Sequence, residues 1–195
     1  MKELRSAFCL CIFFTVLCGG IYPVLVTGLA QWIFPQQAQG SLITDKTGAV
    51  RGSRLIGQAF SDPKYLWPRP SATMDFAYNP LASGGSNVSP TNPAYLKTVV
   101  ARLAELRHTG IQGPMLAEMV QASASGLDPH ISPQAAFMQI ARIAKMRGIA
   151  EARVAQIIAE KREERQFGFM GVPRINVLAV NVALDNVEIL DTMRP

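Results

Sequence analysis

Beyond residue 18 this 195-residue chain contains no cysteine, since Cys9, Cys11 and Cys18 are the whole complement. The rest of the chain therefore has no disulfide or thiolate chemistry, and cysteine-based zinc and redox motifs are excluded. Histidine is nearly as scarce: His108 and His130 stand alone in unrelated contexts, which argues against a histidine-held metal. No G-x-x-x-x-G-K-[ST] phosphate loop and no G-x-S-x-G nucleophile elbow occurs. From residue 35 onward, 17 Lys or Arg are scattered among 13 Asp or Glu, a net charge of +4 with no basic run and no aromatic platform. A nucleic-acid partner is not indicated.

Charge is missing altogether from Ala7 to Phe34 (AFCLCIFFTVLCGGIYPVLVTGLAQWIF), 28 residues of which 14 are Leu, Ile, Val or Phe. A helix needs about 20 apolar residues to cross a bilayer. At roughly −0.3 to −0.6 kcal/mol for each such residue, the insertion propensity totals about −4 to −8 kcal/mol, from which Gly19, Gly20, Pro23 and Gln31 subtract. The stretch reads as a transmembrane helix. A cleaved secretory signal is the competing reading, with small residues at Gly28 and Ala30. Its apolar run is too long for a signal core, which spans about 7 to 15 residues. Lys2 and Arg5 precede the span, and no positive residue follows it until Lys46. The positive-inside rule then puts residues 1–6 in the cytoplasm, residues 7–34 in a bacterial inner membrane and residues 35–195 in the periplasm.

The remaining residues suffice for one domain. Residues 36–92 are rich in Gly, Pro and Ser. Ser41–Ile43 and Ala49–Ile56 flank TDKTG and read as a hairpin, with Gly48 supplying a positive φ. In DPKYLWPRPSA the prolines at 63, 68 and 70 forbid a helix. Phe60, Tyr65, Trp67, Phe76 and Tyr78 are expected to pin this irregular chain to a core, or alternatively to form a recognition surface. Asn92 and Pro93 open an amphipathic helix that ends near Gly110. A short helix over Pro114–Ala122 and a third from Ser132 to Gly148, burying Phe137, Ile140 and Ile143 or Ala144, are expected to follow. A fourth, from Ala150 to about Arg165, places Val154, Ile157 and Ile158 inward. Ile175–Asp185 (INVLAVNVALD) reads as one long central strand, with VEIL as a second strand. The fold class is thus one N-terminal transmembrane helix followed by an α/β (α+β) domain with a small sheet and about four helices.

Two loops invite chemistry. SASGLDPHISP brings together Ser123, Ser125, Asp128 and His130, of which an exported Ser-type hydrolase would use Ser125, His130 and Asp128 as a triad. Members two to five residues apart in one loop rarely converge, however, so a turn, a helix cap at Ser132 and a partner-contact loop are the better readings. In LASGGSN, Ser83, Gly84, Gly85 and Ser86 could form an anion nest or a tight turn. The loop resembles the signature loop of ABC ATPases, but its Walker partner is missing. A secreted periplasmic binding protein is a further alternative. Within the span, Gly19, Gly20 and Gly28 permit close helix packing and Pro23 a kink.

The blocks YPVLVTGLAQ, GSLI, GSRLIGQAFSDPKYLWPRPSA, YNPLASGGSN, SASGLDPHISP and GFMGVPRINVLAVNVALD follow one another behind a single span. In that order they resemble the C-subunit family of the bacterial Kdp potassium-transporting ATPases. Gly126 and Gly171 fall where that family has glycine. The resemblance covers nearly the whole chain. It implies a complex with a channel-like potassium-translocating A subunit, a P-type ATPase B subunit and a small F subunit. That complex hydrolyses ATP with Mg2+ to import K+. For this chain the resemblance implies an accessory role in assembly, with no catalytic site or cofactor of its own. It also implies action as a catalytic chaperone that raises the ATPase subunit's affinity for ATP. With about 30 Å of bilayer between the exported loops and cytoplasmic ATP, that effect would be a coupling between sites.

Overall fold

The computed structural model describes residues 2–111 and 113–192 and divides into two compact units, Met1–Leu42 and Ile43–Pro195. The first unit is dominated by a helix running from Lys2 to Ile33. It consists of α1 (Lys2–Val16), a π-helical turn (Leu17–Ile21) and α2 (Tyr22–Ile33). At 1.5 Å per residue it is about 48 Å long, more than a bilayer's hydrocarbon needs. The π-turn has an identifiable cause. Pro23 has no N–H for the carbonyl four residues back, and the ladder adjusts so that Tyr22 N–H donates to Leu17 O. A short helix, α3 (Pro35–Ala38), follows.

The second unit begins inside a hairpin of β1 (Leu42–Thr44) and β2 (Val50–Ser53). Gly48 has the expected positive φ, +83°. The Asp45 carboxylate closes the turn, accepting from Thr47 and Ala49 N–H and from Arg51. The Thr47 hydroxyl bond, partly opposed by desolvation and reinforced by the other donors, lowers its pKa to about 2. Residues 54–92 carry no helix or strand. α4 (Pro93–His108) opens as expected, the Asn92 side chain accepting from Ala94 and Tyr95 N–H.

The core lies among α5 (Pro133–Phe137), α6 (Ile140–Arg147), α7 (Glu151–Glu160), α8 (Val177–Thr192) and a three-stranded antiparallel sheet. The sheet has the order β3 (His130–Ile131), β5 (Arg174–Asn176), β4 (Arg162–Glu163). His130 lies opposite Asn176, and Glu163 opposite Arg174. Ile131, Ile143, Val154, Ile158, Ile175 and Leu184 are fully buried.

Four local expectations are corrected. Only Ile175 and Asn176 of the expected long strand are strand, as the end of β5, which is central in its sheet; Val177 onward, VEIL included, is α8. The Asn176 side chain accepts Ala179 N–H and starts the helix, whose buried face is Val177, Val180, Asn181 and Leu184 at helical spacing. The run is apolar at both periods, and 11 residues exceed the usual strand of about 4 to 8. Of the helix expected over Pro114–Ala122 only a 3₁₀ turn, Ala117–Met119, forms: Leu116 is extended and Val120 O is turned to Arg102. The third helix is broken between Phe137 and Ile140, where Gln139 turns inward. Phe137, on the outer side of that break, is 43% exposed rather than buried. The fourth helix stops at Glu160, because Arg162 and Glu163 join the sheet.

Candidate functional site

Prolines leave the backbone of 62–70 without a ladder of its own, and the helices supply one through their side chains. Leu66 and Trp67 are buried. Leu66 N–H donates to Asn181 Oδ1 (2.8 Å), and Asn181 Nδ2 donates back to Leu66 O (3.0 Å). One residue on, Trp67 N–H donates to Gln139 Oε1 (2.8 Å), and Gln139 Nε2 to Trp67 O (3.1 Å). Each amide thus imitates a neighbouring strand. Arg142 stacks on the Trp67 ring at 4.3 Å and donates to Pro63 O and Gln139. Its burial lowers its pKa to about 10, against a weaker opposing pull from Asp62. Arg147 donates to Lys64 O and to Asp185.

The structure brings the two suggestive loops together. Gly84 N–H and the Ser83 hydroxyl both donate to Ser125 O (2.9 and 3.0 Å). Ser71 Oγ donates to Gly126 O (2.8 Å), and Gly57 N–H to Leu127 O (2.9 Å). The approach is close enough that a Cβ on Gly85 would stand 2.9 Å from Ala124 O. The Gly84 amide, one of the donors an anion nest would use, is therefore already engaged. Ser86 lies apart, lining a shallow cleft with Tyr95, Thr98 and Arg102.

Asp128 and His130 are neighbours in space as well as sequence. Asp128 accepts from His130 N–H at 3.0 Å and faces Arg69 at 3.4 Å. His130 Nδ1 is 3.5 Å from Asp128, and its Nε2 is 3.7 Å from Glu163. Glu163 in turn pairs with Arg54 (2.6 Å) and Arg174 (2.8 Å). Burial pushes the Asp128 and Glu163 carboxyls up. The His130 bonds at Asp128 and the arginine bonds at Glu163 outweigh it, and both end below their usual range. Tyr78, buried beside Asp128, is pushed up by desolvation and donates to Arg69 O. A cleft of about 240 Å³ opens beside this chain of charges, walled by Phe60, Trp67, Arg69, Tyr78 and Arg102.

Ser125 Oγ accepts from Leu127 N–H at 3.1 Å, and among the described residues no hydrogen bond joins it to His130. The arrangement lends no support to a hydrolase triad. Ser132 caps α5, accepting from Ala135 N–H, and donates to Glu118. Among the described residues no group of three or more His, Cys, Asp or Glu is arranged to hold a metal. Gln139, Asn181, Arg54 and Glu163 escaped the sequence reading. Polar residues at inward positions of apolar helices were the available sign for the first two.

The fold and its loops define a class: a domain carried on one long apolar helix, with its unusual motifs used to brace one another. The family model described as "K+-transporting ATPase, c chain" matches residues 4–186. The chain is 62% identical over 187 residues to the potassium-transporting ATPase KdpC subunit of Geobacter sulfurreducens, covering 96% of this chain and 99% of that one. It is 57% identical over 187 residues to the KdpC subunit of Geobacter metallireducens, with the same coverage. To that of Methylococcus capsulatus it is 50% identical over 187 residues, 95% of this chain and 98% of that one. The chain belongs to the KdpC family.

Proposed function

We propose that this chain is an accessory subunit of an ATP-driven potassium uptake complex, holding the assembly together without catalysing a reaction itself. The observation that carries this reading is the family match, which runs through the apolar helix and both braced loops alike. The partners are the potassium-translocating A subunit, the P-type ATPase B subunit and the small F subunit. ATP, Mg2+ and K+ are used by the complex, and this chain contributes no cofactor. Lys2 and Arg5 keep the N-terminus cytoplasmic, and residues 35–195 form a periplasmic domain that shapes K+ access to the A subunit. Any effect on ATP affinity is a coupling through the assembly, in keeping with the bracing role of Ser83, Ser125, Asp128 and His130.

Contact within the membrane is assigned to the face around the π-turn. A Cβ on Gly19, Gly20 or Gly28 meets nothing within 4 Å, so these positions are open for a neighbouring helix, with Pro23 setting the local geometry. Gly20→Leu is expected to reduce co-purification of the A subunit roughly tenfold, the equivalent of about 1–2 kcal/mol of helix packing, without unfolding this chain. Undiminished co-purification in detergent would remove the assignment.

A further inference from the structure

Between β4 and β5 the chain turns at Gln166–Met170. Gln166 N–H donates to Met170 O and Met170 N–H to Gln166 O, both at 2.9 Å, so the tip is an ordered turn. Phe167 and Gly168 hold φ of +53° and +81°. Glycine or asparagine suits a left-handed turn position, and a bulky aromatic is disfavoured there. Yet Phe167 is 86% exposed, as are Phe169 (73%), Val172 (71%) and Met170 (49%) to lesser degrees. Folding therefore does not account for these four apolar side chains.

Carboxylates stop short of the tip, at Glu163 and Glu164. From Arg165 to Arg174 there is no acidic residue. Arg162 and Arg174 are paired with Glu164 and Glu163, whereas Lys161 and Arg165 have no carboxylate partner among the described residues. An aromatic apolar point with a cationic collar suits a lipid surface, whose interior takes the rings and whose headgroup phosphates take the cations. From Phe34 to Ile43 the tether spans at most about 30 Å, which holds the domain near a bilayer crossed by the helix.

We propose that residues 165–172 are a second membrane contact, Phe167 and Phe169 entering the headgroup–acyl boundary while Arg165 and Lys161 meet lipid phosphates. The proposal rests on the transmembrane reading of the apolar helix. The full chain, with Cys9, Cys11 and Cys18 changed to Ser and Val172→Cys carrying an environment-sensitive fluorophore, is reconstituted in phosphatidylcholine–phosphatidylglycerol vesicles containing brominated lipid. Expected are a blue-shifted probe quenched roughly twofold by the brominated chains, and loss of both effects in the Phe167→Asp, Phe169→Asp variant. Phe167→Asn is expected to raise the thermal midpoint while weakening the quenching; undiminished quenching there would overturn the role given to Phe167. Trp32 serves as the internal control, read by difference against Trp32→Phe. If Trp32 is quenched while the probe stays solvent-like, the tip proposal falls and the anchor stands. If Trp32 is not quenched, both fall. A blue shift without lipid quenching in the assembled complex would identify a protein subunit over the tip and overturn the lipid contact.

Discussion

Gln139→Leu is expected to destabilise the domain by about 3–6 kcal/mol, although leucine is of similar size and more apolar. Gln139 is fully buried at the break between α5 and α6, and its amide satisfies Trp67 N–H, Trp67 O and Ala135 O while accepting from Arg142. Leucine would leave the Trp67 backbone pair without partners inside the core. Each stranded buried group costs about 1–3 kcal/mol, more where the group is charged, as Arg142 is. Gln134 is exposed on α5, so Gln134→Leu should stay within about 0.5 kcal/mol. Urea unfolding of the full chain in detergent, followed by Trp67 emission with Trp32→Phe as background, measures both. A loss below about 1 kcal/mol for Gln139→Leu would show that the clamp on the proline segment is not a stability element.

Gly126→Ala is expected to cost about 2–5 kcal/mol and to separate the two braced loops. Gly126 has a φ of +69°, and a Cβ there would stand 2.5 Å from Thr73 Cγ2 and 2.9 Å from Gly84 O. The left-handed conformation accounts for about 1–2 kcal/mol and overpacking against backbone for about 1–3. Gly110 separates the two contributions, since its φ is +92° and an added Cβ meets nothing within 4 Å. Gly110→Ala should carry the conformational cost alone. Hydrogen exchange distinguishes the variants locally: the Gly84 and Gly57 amides, which donate to Ser125 and Leu127, should lose protection in Gly126→Ala and keep it in Gly110→Ala. Equal protection in both would mean that the loops do not depend on one another.

These two residues show where sequence reading reached and where it stopped. Local features were legible because their causes are local. The caps at Asn92 and Ser132, the turn glycine at 48, the stop at Gly148 and the inward face of α7 all follow from a few adjacent residues. Both unusual loops stood out, but the contact between Asp128 and His130 was not expected, since residues so close in one loop rarely converge. Their bracing could not be seen, because Gly84 and Ser125 lie far apart in the chain and no spacing rule joins them. The same holds for Arg54 and Glu163, 109 residues apart. α8 was misread for a different reason: a run of Val, Leu and Ala fits both periods, and β-branched content tipped the balance toward strand. Asn176, which caps that helix, was the overlooked residue.

The central claim is that this chain, anchored by its apolar helix, is an assembling subunit of a potassium-transporting ATPase. The most direct test purifies the complex from cells that make or lack this chain and measures subunit composition together with K+-stimulated ATP hydrolysis. Without the chain, the translocating and ATPase subunits should fail to hold together and K+-stimulated hydrolysis should be lost, with both restored by adding the full chain. A complex of unchanged composition and activity in its absence would contradict the account.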